Sequence, residues 1–423
     1  MAERKVKLSG EVKLSRRSFL GATSRGAASL LLASSSGATL AAPCASDRVN
    51  VGIIGVGSQG STLTRNLAMV RNARISALCD IFEPNLKKAA GLAGGDLKRF
   101  PDYRKLIESR DVDAVVIALP LHLHFEAAIA AMNAGKHVFV EKTMAYSVDQ
   151  CEQMVRTAKA RPSLVVQVGH QHRFDPVVHK VIEMCRNNAL GTITHIRCHW
   201  HRNGNWRRPV PNSDFDPRPF GYPDLEHLIN WRMYKKYSGG LMCELGSHMI
   251  EIVNLIYDST PAAVTGMGGI DYWKDGRETY DNVTAVYTYT AGQKAVFTST
   301  TTNAHDGEKI KIMGTEGTIE MSWDQALYFR EKEPPEMIKA GNATVITATG
   351  ETMKSSAQGQ KEGSKVETQN GERANAVYKE LESFISAIRD GKKPDVDVQV
   401  GRNAAVSVLL ANRAMEEGRV IKF

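Results

Sequence analysis

Val51-Gly-Ile-Ile-Gly55-Val-Gly57-Ser58-Gln59-Gly60 sets three glycines in G-x-G-x-x-G spacing at the end of a run of β-branched residues. The pattern has meaning only in context, and here it leaves a predicted strand, 49–54, and opens a predicted helix, 61–70. The first glycine permits the tight turn, and the second lets backbone amides approach a pyrophosphate. The third allows close packing of helix on strand, while the helix N-terminus favours the anion. Asp80 ends the next predicted strand, twenty residues after Gly60. A carboxylate there accepts hydrogen bonds from a ribose diol and repels a 2′-phosphate. Ile81 and Phe82 follow it with no Arg or Lys, so the reading is NAD rather than NADP.

Outward from this turn, short apolar runs at 49–54, 75–79, 114–118, 137–140 and 164–168 alternate with segments of helical period. Alternation of this kind implies parallel pairing and a sheet covered on both faces. Ser147-Val-Asp-Gln150 forms a capping box at the start of the helix predicted over 148–160. After a helix near 177–186 the pattern changes. Strands at 192–201, 282–289, 294–302, 309–313 and 318–321 follow without helices of comparable length between them. The expected fold class is α/β: an N-terminal Rossmann doubly wound parallel sheet plus a C-terminal α+β domain with a largely antiparallel open sheet. Residues 47–170 are assigned to the first domain and 171–423, the substrate-binding and oligomerisation part, to the second. A polar stretch over 331–372 reads as a mobile surface excursion, and helices over 374–389 and 403–417 close the chain.

The formal net charge is +8, but residues 1–25 hold seven basic residues against two acidic ones, so five of those charges sit in the leader. The remainder carries no basic stripe, which argues against nucleic-acid binding. Six cysteines without a C-x-x-C argue against a zinc ribbon or disulfide scaffold. Ser15-Arg16-Arg17-Ser18-Phe19-Leu20 precedes an uncharged run over 26–42 that is rich in Ala, Ser, Gly and Leu. Residues 1–46 therefore resemble a twin-arginine signal peptide, predicting export to the periplasm. The run is too short and too polar to be a stable membrane span. Such export carries folded proteins, so NAD would be loaded before export and stay tightly bound.

Ile117-Ala-Leu-Pro120-Leu-His122-Leu-His124 and Gly135-Lys-His137-Val-Phe-Val-Glu141-Lys142 closely resemble signatures of the Gfo/Idh/MocA family of sugar-type oxidoreductases. Gly169-His-Gln-His172-Arg173-Phe174 and Gly239-Gly240 through Glu244-Leu-Gly-Ser-His248 are similar to its later landmarks. The resemblance implies that Lys142 sits beside substrate and nicotinamide, and that His248 exchanges a proton with the substrate hydroxyl. It also implies that Glu244 fills a position where aspartate is usual, while Thr143 stands where proline is usual. The expected cofactor contacts are Gly55, Gly57, Ser58, Gln59, Gly60, Asp80, Pro120, His124, Glu141 and Lys142.

Independently of the family, removal of hydride from a secondary alcohol requires that the hydroxyl proton be taken as the hydride leaves. A near-neutral histidine suits that task, and a lysine ammonium stabilises the developing alkoxide. If residues 241–253 are helical, Glu244 and His248 share one face as an i, i+4 pair. His122 and His124 lie at a strand end, as cofactor contacts or as loop packing. His172 and Arg173 enter the cleft as substrate contacts. Trp206 belongs to an aromatic, arginine-rich segment over 202–232, read as a sugar-stacking lid or as an oligomer contact. His195, His199 and His201 alternate on one strand face without a carboxylate or cysteine cluster, so no metal site is assigned. The leading expectation is an NAD-dependent oxidoreductase acting on a sugar, cyclitol or polyol, in a homo-oligomer. Two alternatives stand beside it: a glycoside hydrolase that recycles NAD, and a non-catalytic, NAD-containing sugar-binding protein.

Overall fold

In the computed structural model the chain is described over residues 48–95, 97–331, 363–367 and 375–423. The expected export signal, and most of the polar stretch over 331–372, lie outside the described residues. Val49–Ile54 (β1) is buried along nearly its whole length, as its run of Val and Ile requires. It pairs in parallel with Ala73–Cys79 (β2) on one side. Lys98–Phe100 (β3) lies beyond β2. Ala114–Ile117 (β4), His137–Glu141 (β5) and Val166–Gly169 (β6) follow on the other side of β1, giving the order β3-β2-β1-β4-β5-β6. The strand order reverses between β1 and β4, and ligands bind at such a switch point, beyond the strands' carboxyl ends. β3 escaped sequence reading because it is three residues long with two of them exposed.

The second sheet has nine strands. They are Ile193–His201 (β7), Pro261–Gly269 (β8), Asn282–Tyr289 (β9), Lys294–Thr300 (β10), Glu308–Gly314 (β11), Gly317–Met321 (β12), Ala326–Arg330 (β13), Ser364–Lys365 (β14) and Ile421–Lys422 (β15). Their order is β14-β13-β12-β11-β7-β10-β9-β8-β15, antiparallel except for the parallel pair β7 and β10. β8 was not foreseen because glycines weaken a strand signal. The structure shows what Gly266 is for: a Cβ there would lie 2.5 Å from the Thr284 carbonyl. One face of the sheet, including Ile196, Cys198, Tyr287, Phe297 and Ile312, is buried. It packs with helices Ser247–Tyr257 and Val398–Glu417; the Tyr287 hydroxyl donates to the Ser407 carbonyl (3.3 Å) and that of Tyr289 to Asn254 Oδ1 (2.7 Å). On the opposite face His199 stacks on His201, whose ring nitrogens meet Thr298 Oγ1 and the His305 carbonyl at 3.1 Å.

One element of the expected second domain belongs with the first. Helix Ala376–Asp390 lays Leu381, Phe384 and Ile385 into the cluster that contains Val51, Ile53 and Phe139. The Phe139 and Phe384 rings meet edge to face at 5.8 Å. The physical reason is coverage, since a parallel sheet needs helices on both faces. Among the described residues no helix is long and apolar enough to cross a membrane. Phe384→Ala is expected to lower stability by about 3–5 kcal/mol, measured by urea denaturation, since the ring is fully buried.

Candidate active site

A cavity of about 920 Å³ opens at the switch point and runs from the glycine turn to the helix that carries His248. Three glycines shape the turn at its end, with three different jobs. Gly55 takes φ +82°, and a Cβ on it would lie 2.6 Å from the Ala118 carbonyl. A Cβ on Gly60 would lie 1.9 Å from the Gly55 carbonyl, so this residue lets helix Ser58–Leu67 pack on the turn rather than lining the cavity. Gly57 faces open space, where a Cβ would meet only Asn85 Nδ2 at 3.9 Å. That gap, at a helix N-terminus whose first amides have no intrahelical partner, fits a pyrophosphate.

Asp80 accepts from the amides of Val56 (2.9 Å) and Phe82 (2.9 Å) and from Asn85 Nδ2 (3.2 Å). Burial pushes its carboxyl pKa up against these donors. It lines the cavity with Ser58, Gln59 and Pro120. Gln59 Nε2 donates to Glu141 Oε1 (2.7 Å), tying the glycine turn to the end of β5. Burial likewise raises the Glu141 pKa, with Lys142 opposing. These features together fit a dinucleotide laid across β1 and β4.

At the other end, the chain after β5 is stitched to a turn of the second domain. Met242–Gly246 is π-helical and leads into helix Ser247–Tyr257. A π turn displaces the usual i→i−4 pairing and is frequent at functional sites. Here its carbonyls receive other donors. Lys142 Nζ donates to the Glu244 carbonyl (2.9 Å), and Thr143 Oγ1 donates to that of Cys243 (3.0 Å). Proline has no hydroxyl to make the second bond. The Lys142–Thr143 peptide bond is cis. His124 places its two ring nitrogens 2.8 Å from the carbonyls of Thr143 and Leu119.

The i, i+4 pairing expected of Glu244 and His248 is replaced by a different arrangement. Glu244 Oε2 accepts from Arg232 Nε at 2.7 Å. Burial would raise the Glu244 pKa, but Arg232 and Lys142 outweigh it and hold the carboxyl below its ordinary value. The ring of His248 sits 5.0 Å from that of His172 and 5.5 Å from that of Trp200. Burial, with the Lys142 cation next, holds His248 well below the ordinary histidine value. His172 stacks on Trp323 at 3.7 Å and is pushed down to about 3 by burial. It therefore backs His248 rather than lining the cavity. Arg173, expected to contact substrate, instead lies 2.8 Å from the buried Glu251 in an ion pair. His122 packs against Tyr222 and Tyr237, the loop-packing role, while His124 lines the cavity.

Trp206 also lines the cavity, with φ +63°, a left-handed conformation rare for a bulky residue. Further lining residues not singled out in the sequence include Trp200, Arg202, Arg208 and Arg232. Strand alternation held a signal for Trp200, since Ile196, Cys198 and Trp200 share the inward parity of β7. No spacing rule singles out the arginines.

A model of the oxidoreductase family with NAD-binding Rossmann fold, GFO/IDH/MocA, matches residues 49–170, and that of the GFO/IDH/MocA C-terminal domain matches residues 178–320. The chain belongs to the GFO/IDH/MocA family. Its first domain is thus the NAD-binding Rossmann fold of that family. The myo-inositol 2-dehydrogenase of Thermotoga maritima is 24% identical over 375 residues, spanning 88% of this chain and 98% of the relative. Scyllo-inositol dehydrogenase from Lactobacillus casei, solved with bound NAD(H) and scyllo-inositol, aligns with TM-score 0.66 and 19% identity over 89% of this chain and 99% of that one. A levoglucosan dehydrogenase complexed with NADH and levoglucosan gives TM-score 0.69 and 21% identity over the same shares.

Gly57→Ala is expected to leave the chain folded but weaken NAD binding about tenfold or more, measured by calorimetry. Gly60→Ala is expected instead to destabilise the fold by about 1–3 kcal/mol through overpacking, seen as a lowered melting temperature.

Proposed function

We propose that this protein is an exported NAD-dependent dehydrogenase acting on a CH–OH carbon of a sugar, cyclitol or related polyol. The observation that carries this reading is that Lys142 and His248, from separate domains, line one cavity with the open cradle at Gly57. When bound, NAD supplies the hydride acceptor. His248, kept neutral by burial and nearby cations, takes the hydroxyl proton through a ring nitrogen. Lys142 is oriented by the Glu244 carbonyl and keeps further N–H donors for the developing alkoxide. Glu244, held by Arg232, keeps a negative charge beside Lys142 and so sets that ammonium's position. The names of the inositol and levoglucosan dehydrogenases among the similar proteins support a sugar-like substrate.

His248→Ala is expected to lower kcat/KM for NADH formation by about 10²–10⁴-fold while NAD binding persists. Retention of full turnover would remove His248 from the reaction. In the wild type, the acid limb of kcat/KM against pH lies below the ordinary histidine value of about 6.5. Removing the Lys142 cation makes protonation of His248 easier, so Lys142→Met moves that limb upward. If bound NAD cycles with sugar but no net NADH accumulates, the recycling glycosidase is the better reading. If no sugar changes the absorbance of bound NAD, the non-catalytic reading replaces both.

Export rests on the paired arginines at 16 and 17, and a homo-oligomer rests on the outward sheet face, where Met267 and Val286 are exposed. Replacing Arg16 and Arg17 by lysine is expected to hold the protein in the cytoplasm with its NAD, measured by fractionation. Equal periplasmic yield from the variant would overturn the export reading.

A further inference from the structure

We infer that the substrate carries an anionic group, a carboxylate or a phosphate ester, received by Arg202 and Arg208. The inference rests on the sugar or polyol reading above and narrows it.

Charge along the cavity is uneven. Around Asp80 the lining charges are Asp80, Asp102, Glu126 and the single cation Arg104. Toward His248 they are Lys142, Arg202, Arg208 and Arg232 against Glu141 and Glu244. Lys142 and Arg232 are already engaged by Glu244, through its carbonyl and its carboxylate. Among the described residues neither Arg202 nor Arg208 makes an ion pair. The fields of Glu308 and Glu244 reach Arg202, and that of Glu244 reaches Arg208, without an ion pair.

Both arginines are nevertheless held in place. The Arg202 guanidinium lies 5.3 Å from the Trp200 ring centre and 5.4 Å from that of Trp206, between two aromatic faces. Trp200 is the residue whose ring stands 5.5 Å from His248. Trp206 reaches its place from left-handed backbone, and such strain clusters where a side chain must be presented. Arg208 is gripped through its main chain alone. Its amide donates to Asn230 Oδ1 (2.7 Å) and its carbonyl accepts from Asn230 Nδ2 (3.0 Å). The neighbouring Arg207 shows the contrast, with its guanidinium occupied by Glu226 and Asp275.

A guanidinium left half-buried without an ion-pair partner is costly. Burial disfavours the charge on Arg202 and Arg208, with Arg232 adding to it and the fields of Glu308 on Arg202 and of Glu244 on both only partly offsetting it. An anionic ligand would relieve that cost. Arginine presents a planar fork that matches carboxylate or phosphate with paired hydrogen bonds. The dinucleotide's own phosphates are provided for elsewhere, at Gly57 and the helix start.

The test uses the full chain with NAD and four probes: D-glucuronate, D-gluconate, D-glucose 6-phosphate and D-glucose. Binding is followed by tryptophan fluorescence, since Trp200 and Trp206 flank Arg202, and turnover by NADH absorbance. At least one acid is expected to bind about tenfold or more tightly than D-glucose, with salt weakening it, as a charge-assisted hydrogen bond would give. Preference for glucuronate or gluconate assigns a carboxylate, and preference for the 6-phosphate assigns a phosphate ester. Arg202→Met and Arg208→Met are expected to bring the acid-to-glucose ratio toward one while NAD affinity holds. D-glucose bound as tightly as every acid by the wild type would overturn the inference. A loss of NAD affinity in the variants, with the acid preference intact, would overturn it too, assigning the arginines to the dinucleotide. Salt-sensitive binding of an acid without turnover of any probe would instead count against the dehydrogenase reading alone.

Discussion

The site depends on two hydrogen bonds between domains: Lys142 Nζ to the Glu244 carbonyl and Thr143 Oγ1 to the Cys243 carbonyl. Both acceptors belong to the π turn at Met242–Gly246. These carbonyls meet donors from the Rossmann side, and that of Cys243 also accepts from Ser247 Oγ (2.6 Å) of the helix that follows. The lysine at the end of β5 is thereby fixed by the element that leads into His248. Without that stitch, the His248 ring and the Lys142 cation would belong to two independent walls.

Electrostatics then follow from burial. His170, His172 and His248 are all driven toward the neutral form, chiefly by desolvation and then by Lys142. Glu244 goes the other way: burial would raise it, but Arg232 and Lys142 together outweigh that. One cavity thus holds a neutral imidazole and a persistent carboxylate, two titratable groups whose environments push them apart. The partner comes from the aromatic, arginine-rich segment: Arg232 Nε donates to Glu244 Oε2 at 2.7 Å.

Much of the fold was legible because its signals are local. The glycine turn, Asp80 and the buried runs of β1, β4 and β5 all depend on residues close in sequence, and the structure places them as read. Readings failed where the deciding partner is distant. Arg173 reads as a cleft residue beside His172, but Glu251 on another helix draws it away. Helix Ala376–Asp390 reads as part of the second domain, yet its apolar face finds Val51 and Phe139. The capping box at Ser147 forms in part. Ser147 caps Gln150, but Gln150 returns to the Tyr146 amide rather than to that of Ser147.

By itself, then, the sequence determined the dinucleotide-binding architecture and the family, and it singled out Lys142 and His248, which the structure brings to one cavity. Each of these is written in short-range spacing of chemically distinctive residues. Only the tertiary structure decided which charges stay paired and which face the cavity. Arg207 and Arg208 are adjacent and alike in sequence. One is neutralised by Glu226 and Asp275, while the other lines the cavity and, among the described residues, makes no ion pair, only the field of Glu244 reaching it. Pairing of that kind depends on what long-range packing brings within about 4 Å, where the Coulomb term becomes large enough to matter.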